Sequence, residues 1–132
     1  MNNAQLISAA KSALKNSYAP YSRIKVAAAL LTEDGTVVTG VNVENSSYGL
    51  TVCAERVALC KAVSEGHTRF TAIAVFSPSL KRIVPCGACL QSLAEFSPKM
   101  NVITQGSDGR TATTKLDKLL PRGFRIDEKV SR

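Results

Sequence analysis

Residues 51–60, TVCAERVALC, decide how this chain is read. Their apolar spacing is that of an amphipathic helix, yet Cys53 and Glu55 fall in its first turn. Thirty-three residues after Cys53 comes VPCGACL, with Cys86 and Cys89. A helix opening near Gly87 puts Cys86 at its entrance and Cys89 one turn in. Side chains lean toward a helix N-terminus, so both sulfurs can address one point there. Cys53 and Glu55 can do the same from the other helix. If the two helices start side by side, two positive helix ends face one site, and thiolates are stabilised there.

Three thiolates with a fourth position open suit a catalytic zinc, whereas four protein ligands would make a closed structural site. The fourth cysteine, Cys60, lies about two turns beyond Cys53, roughly 10 Å along the helix at 1.5 Å per residue. That is too far to complete the shell, and it is expected to be a buried core thiol. His67, the single histidine, sits in the polar EGHT turn and is expected to stay outside the chemistry. Glu55 has an obvious task beside a metal-activated water: it can take a proton there and pass it to a leaving group.

Outward from this pair of helices, the rest of the chain reads as α-ββ-α-β-α-β-β. Residues 3–16 carry Leu6, Ala10, Ala13 and Leu14 on one helical face, with Asn2 placed to cap and Gln5 three positions on. Pro20 ends that segment. Residues 25–32 and 36–43 are strand-like and are joined by EDGT, a strong hairpin signal. NVENSSYG, residues 42–49, reads as a polar loop. A helix is expected over about 52–65, a buried strand over 70–76 and a helix over about 87–96. NVITQ and TATT read as strands around the GSDGR turn, and a short helix and tail follow in KLDKLLPRGF. Helices alternating with strands predict an α/β fold: a three-layer α/β/α sandwich around a mixed five-stranded sheet.

The length of 132 residues suits one domain, 1–132, and the 45% apolar content suits a globular core. Aromatic residues are few, so packing must rest on Ala, Val, Leu and Ile. No stretch approaches the roughly 18 apolar residues of a membrane span, and the N-terminus lacks the form of a signal peptide. A cytoplasmic setting is expected, with the cysteines as thiols or metal ligands. The net charge is +7, concentrated in residues 67–132. These basic residues are scattered and not interleaved with aromatics, so a solvated surface is expected in place of a nucleic-acid groove.

Cys-Ala-Glu followed by Pro-Cys-Gly-Ala-Cys is the cysteine form of the zinc nucleoside deaminase signature. The chain resembles the small homotetrameric cytidine deaminases over nearly its whole length. APYSRIKVAAALLTEDG, GVNVENSSYGLTVCAERVAL, KAVSEG, PCGACLQSLAEF and LLPRGF all have family counterparts in this order. The resemblance implies hydrolytic deamination of cytidine and deoxycytidine, with one Zn²⁺ per subunit held by Cys53, Cys86 and Cys89. It implies that Glu55 shuttles protons to N3 and the departing amine. It further implies that Asn42 and Glu44 bind ribose, that the backbone near Ala54 reads the base, and that Arg56 hydrogen-bonds the sulfurs. Tyr21, Tyr48 and Phe124 match aromatic positions where subunits meet and share pockets; each taken singly reads as core or interface packing.

The chain departs from the family pattern in places. Ile24 stands where the family usually has a phenylalanine near the nucleoside, Leu90 where it usually has a second arginine, and Ala27 where glycine is common. With Arg56 alone to soften the thiolates' charge, a less acidic metal-bound water is expected. The departures also raise other substrates: a modified cytosine nucleoside, or an aminonucleoside antibiotic such as blasticidin S. A structural zinc module would need a fourth protein ligand, which neither Cys60 nor His67 is placed to supply. A CxxC redox protein would have no use for Cys53 and Glu55. A nucleic-acid-editing deaminase would need further elements to grip a strand.

Overall fold

A computed structural model describes residues 1–126. Five strands form one sheet in the order β2-β1-β3-β4-β5: β1 (Ala27–Thr32), β2 (Val37–Val41), β3 (Phe70–Phe76), β4 (Asn101–Gln105) and β5 (Thr111–Lys115). β3 pairs parallel with β4, and the other neighbours are antiparallel. The helices are α1 (Asn3–Ala13), α2 (Ala54–Ser64), α3 (Gly87–Ala94) and α4 (Leu116–Leu119).

Alternation along the central strands makes the three layers. Ala27, Ala29, Ala72 and Ala74 present small side chains to one face, where Leu6, Ile7 and Ala10 of α1 pack on them. Ala28, Leu30, Ile73 and Val75 point the other way, into a core shared with Ala54, Ala58 and Leu59 of α2 and with Leu90 and Leu93 of α3. Each large aliphatic so buried contributes about 1.5–3 kcal/mol. The expected mixed sheet between helical layers is therefore what forms.

Local signals account for most element ends. Asn2 and Gln5 make a reciprocal capping box, each side chain bonding the other's backbone N–H. The Asp34-Gly35 turn closes the β1–β2 hairpin, with Gly35 at φ +92°, a conformation glycine adopts without strain. The helix expected over 3–16 stops at Ala13 and tightens into a 3-10 turn, Leu14–Asn16. The helix expected from Val52 starts at Ala54, because Val52 is held in a bridge with Val43. The loop over 42–49 is likewise ordered on both sides, since Val43 also bridges Tyr18.

Gly40 on β2 lets α2 lie directly on the sheet. A Cβ there would stand 2.5 Å from the Ala58 nitrogen and 2.6 Å from the Ala54 oxygen, both backbone atoms that cannot swing aside. Gly40→Ala is expected to lift the first turns of α2, cost about 1–3 kcal/mol of overpacking and lower Tm measurably in a thermal melt.

Candidate active site

The sheet topology explains why three distant cysteines meet. β2 and β3 both run antiparallel to β1, so they point the same way. The chain leaves both at the same end of the sheet, and α2 and α3 begin there. Cys53 is the N-cap of α2 and Cys86 the N-cap of α3, both in extended backbone conformation. Cys89 is buried one turn into α3. The three Sγ atoms lie within 4.8 Å of one another, with Cys86 and Cys89 at 3.6 Å. On a tetrahedral shell with Zn–S of about 2.3 Å, neighbouring sulfurs stand about 3.8 Å apart, so the donor set and its spacing fit zinc. His67 and Cys60 are not part of this cluster.

Glu55 is in the first turn of α2, only 4% exposed. Burial pushes its carboxyl up to about 7, and the neighbouring Cys53 charge adds to the shift. Cys53 is held down to about 5, chiefly by the hydrogen bond from Cys89 and further by Arg56. Cys89, the donor in that pair, is pushed up. The Arg56 Nη2 lies 3.8 Å from the Cys53 Sγ, and its Nε is buried without a hydrogen-bond partner. The guanidinium thus balances sulfur charge at a site that three thiolates would make strongly negative. Arg56→Ala is expected to weaken zinc retention about 10- to 100-fold, read by competition with a chelator.

The segment carrying Asn42 and Glu44 runs antiparallel to the one that leads into Cys53, through the Val43–Val52 bridge. Asn42 is buried, and its amide is largely engaged: Nδ2 donates to the Ile24 carbonyl at 2.7 Å, while Oδ1 accepts from the Val26 N–H at 3.0 Å and from the Ser17 hydroxyl. One N–H remains to donate. Glu44 Oε1 accepts from the N–H groups of Tyr21 and Ser22 at 3.0 and 3.1 Å, and Oε2 accepts from the Ser22 hydroxyl. These bonds, that of Ser22 foremost, hold its carboxyl below the usual carboxylate range. One acceptor position on Oε2 stays open. Glu44 lines a cleft of about 320 Å³ with Tyr21, Ser22, Tyr48 and Thr51, near the lower end for small-molecule sites. Ala54 buries its methyl in the core as the first residue of α2, where helix geometry leaves backbone N–H groups unpaired.

Some side chains stand elsewhere than expected. Cys60 is exposed, not a core thiol. The inward stripe of α2 is Ala54, Glu55, Ala58, Leu59 and Ala62, and a residue two beyond Ala58 faces away from it. Tyr21, Tyr48 and Phe124 are not core residues: Tyr48 is 73% and Phe124 70% exposed, with the Tyr21 and Tyr48 rings 5.8 Å apart. Leu90 fills the core beside α2, leaving the thiols to Arg56, and Ala27 is buried under α1. His67 lies past the C-terminal end of α2, 3.9 Å from Asp34. Gln91 had no sequence signal: its amide clamps both backbone groups of Phe124, donating to the carbonyl at 2.8 Å and accepting from the N–H at 3.0 Å. Phe124 is thus fixed by its backbone while its ring stays exposed.

Residues 1–105 match the family described as the cytidine and deoxycytidylate deaminase zinc-binding region. The cytidine deaminase of Halalkalibacterium halodurans is 44% identical over 129 residues, covering 97% of this chain and 98% of that protein. That of Sporosarcina psychrophila is 46% identical over 125 residues, covering 94% and 92%. Among solved structures, the cytidine deaminase of Burkholderia pseudomallei superposes with a TM-score of 0.89 at 46% identity, covering 94% of this chain and all of that one.

Proposed function

Because this chain belongs to the cytidine and deoxycytidylate deaminase family, we propose that it deaminates cytidine and deoxycytidine hydrolytically. The products are uridine or deoxyuridine and ammonia, a pyrimidine salvage reaction. The observation that carries this reading is the convergence of Cys53, Cys86 and Cys89 with a buried Glu55 at two adjoining helix starts. Cys53, Cys86 and Cys89 hold the zinc. When bound, it supplies a Lewis acid that lets a water ionise near neutral pH.

Glu55 does the proton work. Its carboxylate takes a proton from the attacking water and delivers one to N3 of the base as the C4–O bond forms. It then carries the proton of the new C4 hydroxyl to the amine nitrogen, and the C4–N bond breaks as the C4 carbonyl forms, with release of ammonia. A carboxyl balanced near neutrality by burial suits both roles. The free N–H of Asn42 and the open lone pair on Glu44 Oε2 offer one donor and one acceptor to the ribose hydroxyls. The backbone at Ala54 meets the base, and Ile24 provides an aliphatic wall.

The exposed aromatics support a homotetramer with shared pockets. Tyr18, Tyr21, Tyr48, Leu50 and Phe124 all leave apolar surface uncovered on a single chain. Light scattering is expected to give four times the 14.1 kDa chain mass. Metal-binding thiols must stay reduced, which supports a cytoplasmic setting. No helix among the described residues is long and apolar enough to cross a membrane.

Ammonia release from cytidine and deoxycytidine, run beside blasticidin S and an N4-substituted cytidine, tests the substrate. Rapid turnover of the plain nucleosides is expected. Strong turnover of a modified compound with weak turnover of cytidine would reassign the substrate while keeping the chemistry.

A further inference from the structure

Residues 76–79, FSPS, lie where β3 ends, and their hydroxyls do backbone work on a distant segment. Ser77 is fully buried. Its N–H continues the parallel ladder to the Gln105 carbonyl, and its hydroxyl donates to the Lys25 carbonyl at 2.7 Å. The same Oγ accepts from the Ser79 N–H at 3.2 Å. Ser79 Oγ in turn accepts from the Lys25 N–H at 3.1 Å. Both backbone groups of Lys25 are therefore held by this pair of serines.

Ile24, next along the chain, is held by side chains too. Its N–H donates to Ser22 Oγ and its carbonyl accepts from Asn42. This is why the strand expected to begin at residue 25 begins at Ala27: side chains satisfy the backbone of Ile24 and Lys25 and the Val26 N–H, while the Val26 carbonyl accepts from the Asn42 N–H. The segment they hold is not at rest. Arg23 sits at φ +63°, a sparsely populated conformation for a residue with a Cβ. Ser22, two residues before Ile24, lines the 320 Å³ cleft with Glu44. Ile24 itself is partly exposed, and its carbonyl is held by Asn42, the assigned ribose contact.

We propose that Ser77 and Ser79 are positioning residues that set the Ile24 wall against the nucleoside. This rests on the assignment of that cleft to the nucleoside. The loop that begins with these serines ends at Cys86, so one segment anchors a sulfur ligand at one end and the pocket wall at the other. Without the Ser77 hydroxyl, the Lys25 carbonyl loses its side-chain partner, the clamp on Lys25 is halved, and the 23–25 segment relaxes. Binding suffers first, because the wall acts on the bound base as a whole and not on the reacting C4.

The test compares Ser77→Ala with Ser97→Ala. Ser97 Oγ makes a similar bond to the Phe70 N–H at 2.9 Å, at the other end of β3. Both variants are expected to lose a similar amount of Tm and to retain zinc. Ser77→Ala alone is expected to raise KM for cytidine about tenfold, with kcat changed less than about threefold. Ser79→Ala, a milder change at a less buried position, is expected to move KM in the same direction and serves if Ser77→Ala does not fold. Equal KM values in the serine variants and the parent, with Tm lowered, would overturn the proposal. Failure of the parent itself to turn over cytidine would instead sink the nucleoside assignment. Faster amide exchange at Lys25 in Ser79→Ala would then still report the clamp alone.

Discussion

Glu55→Gln is expected to lower kcat about 10³- to 10⁴-fold while leaving zinc content and fold intact, an upper-range loss for general acid–base catalysis. Such a loss corresponds to about 4–5.5 kcal/mol of transition-state stabilisation. The amide keeps the shape of the buried side chain, so the packing of Glu55 beside Ala54 and Ala58 on the inward face of α2 survives. What it cannot do is accept a proton from water or return one to N3 and the amine. One carboxyl serves each of those transfers, so no step of the reaction escapes the substitution. Steady-state kinetics on protein of measured zinc content reads the effect. Turnover within tenfold of the parent would remove Glu55 from the proton path.

Cys89→Ser is expected to fail in the opposite way, by losing the metal. Cys89 is fully buried, and its sulfur lies within 4.8 Å of both other sulfurs of the cluster. A serine hydroxyl ionises far less readily than a thiol and reaches less far, so the donor set falls to two sulfurs. Zinc content is expected to drop to less than about a tenth of the parent's, and activity by more than about a hundredfold. Metal that binds only the folded chain stabilises it, so its loss also lowers stability. A loss of about 3 kcal/mol would lower Tm by about 10 °C in a chain of this size. Elemental analysis and a melt separate this variant from Glu55→Gln, which keeps both metal and Tm. A Cys89→Ser protein with full zinc would mean that the cluster is not the metal site.

Much of this architecture could be read from local pattern. The Asn2–Gln5 box, the Asp34-Gly35 turn and the buried run FTAIAVF each carry their signal within a few residues. The sulfur cluster was legible as well, because an N-cap cysteine and a CxxC at a helix start both point toward helix N-termini. Their meeting depended on β2 and β3 running the same way, which no spacing reports. Cys60 shows how a helix hides its phase. Ala58, Leu59 and Ala62 turn inward, and the thiol between them is exposed although its type favours burial. Gly40 could not be read either, because its need for glycine comes from α2, fourteen residues later in the chain. Side-chain bonds to the backbone of a distant segment leave the faintest trace. Ser77 with Lys25 and Gln91 with Phe124 join residues far apart in sequence through hydroxyl and amide groups that would serve equally well in any polar turn.

The departures at Ile24 and Leu90 take on a physical meaning from the fold. Leu90 contributes apolar packing between α3 and α2, and an arginine there would bring a charge into that core. Arg56 is then the guanidinium that meets the sulfurs among the described residues. Ile24 keeps an aliphatic surface where its backbone is fixed from both sides.

In the proposed reaction a water, activated at this cluster and deprotonated by Glu55, replaces the amine at C4. The most direct measurement is the mass of uridine formed from cytidine in water labelled with heavy oxygen, with ammonia counted in parallel. One labelled oxygen per uridine and one ammonia per turnover are expected, both abolished in Glu55→Gln. Uridine without label, or ammonia released without uridine, would contradict it.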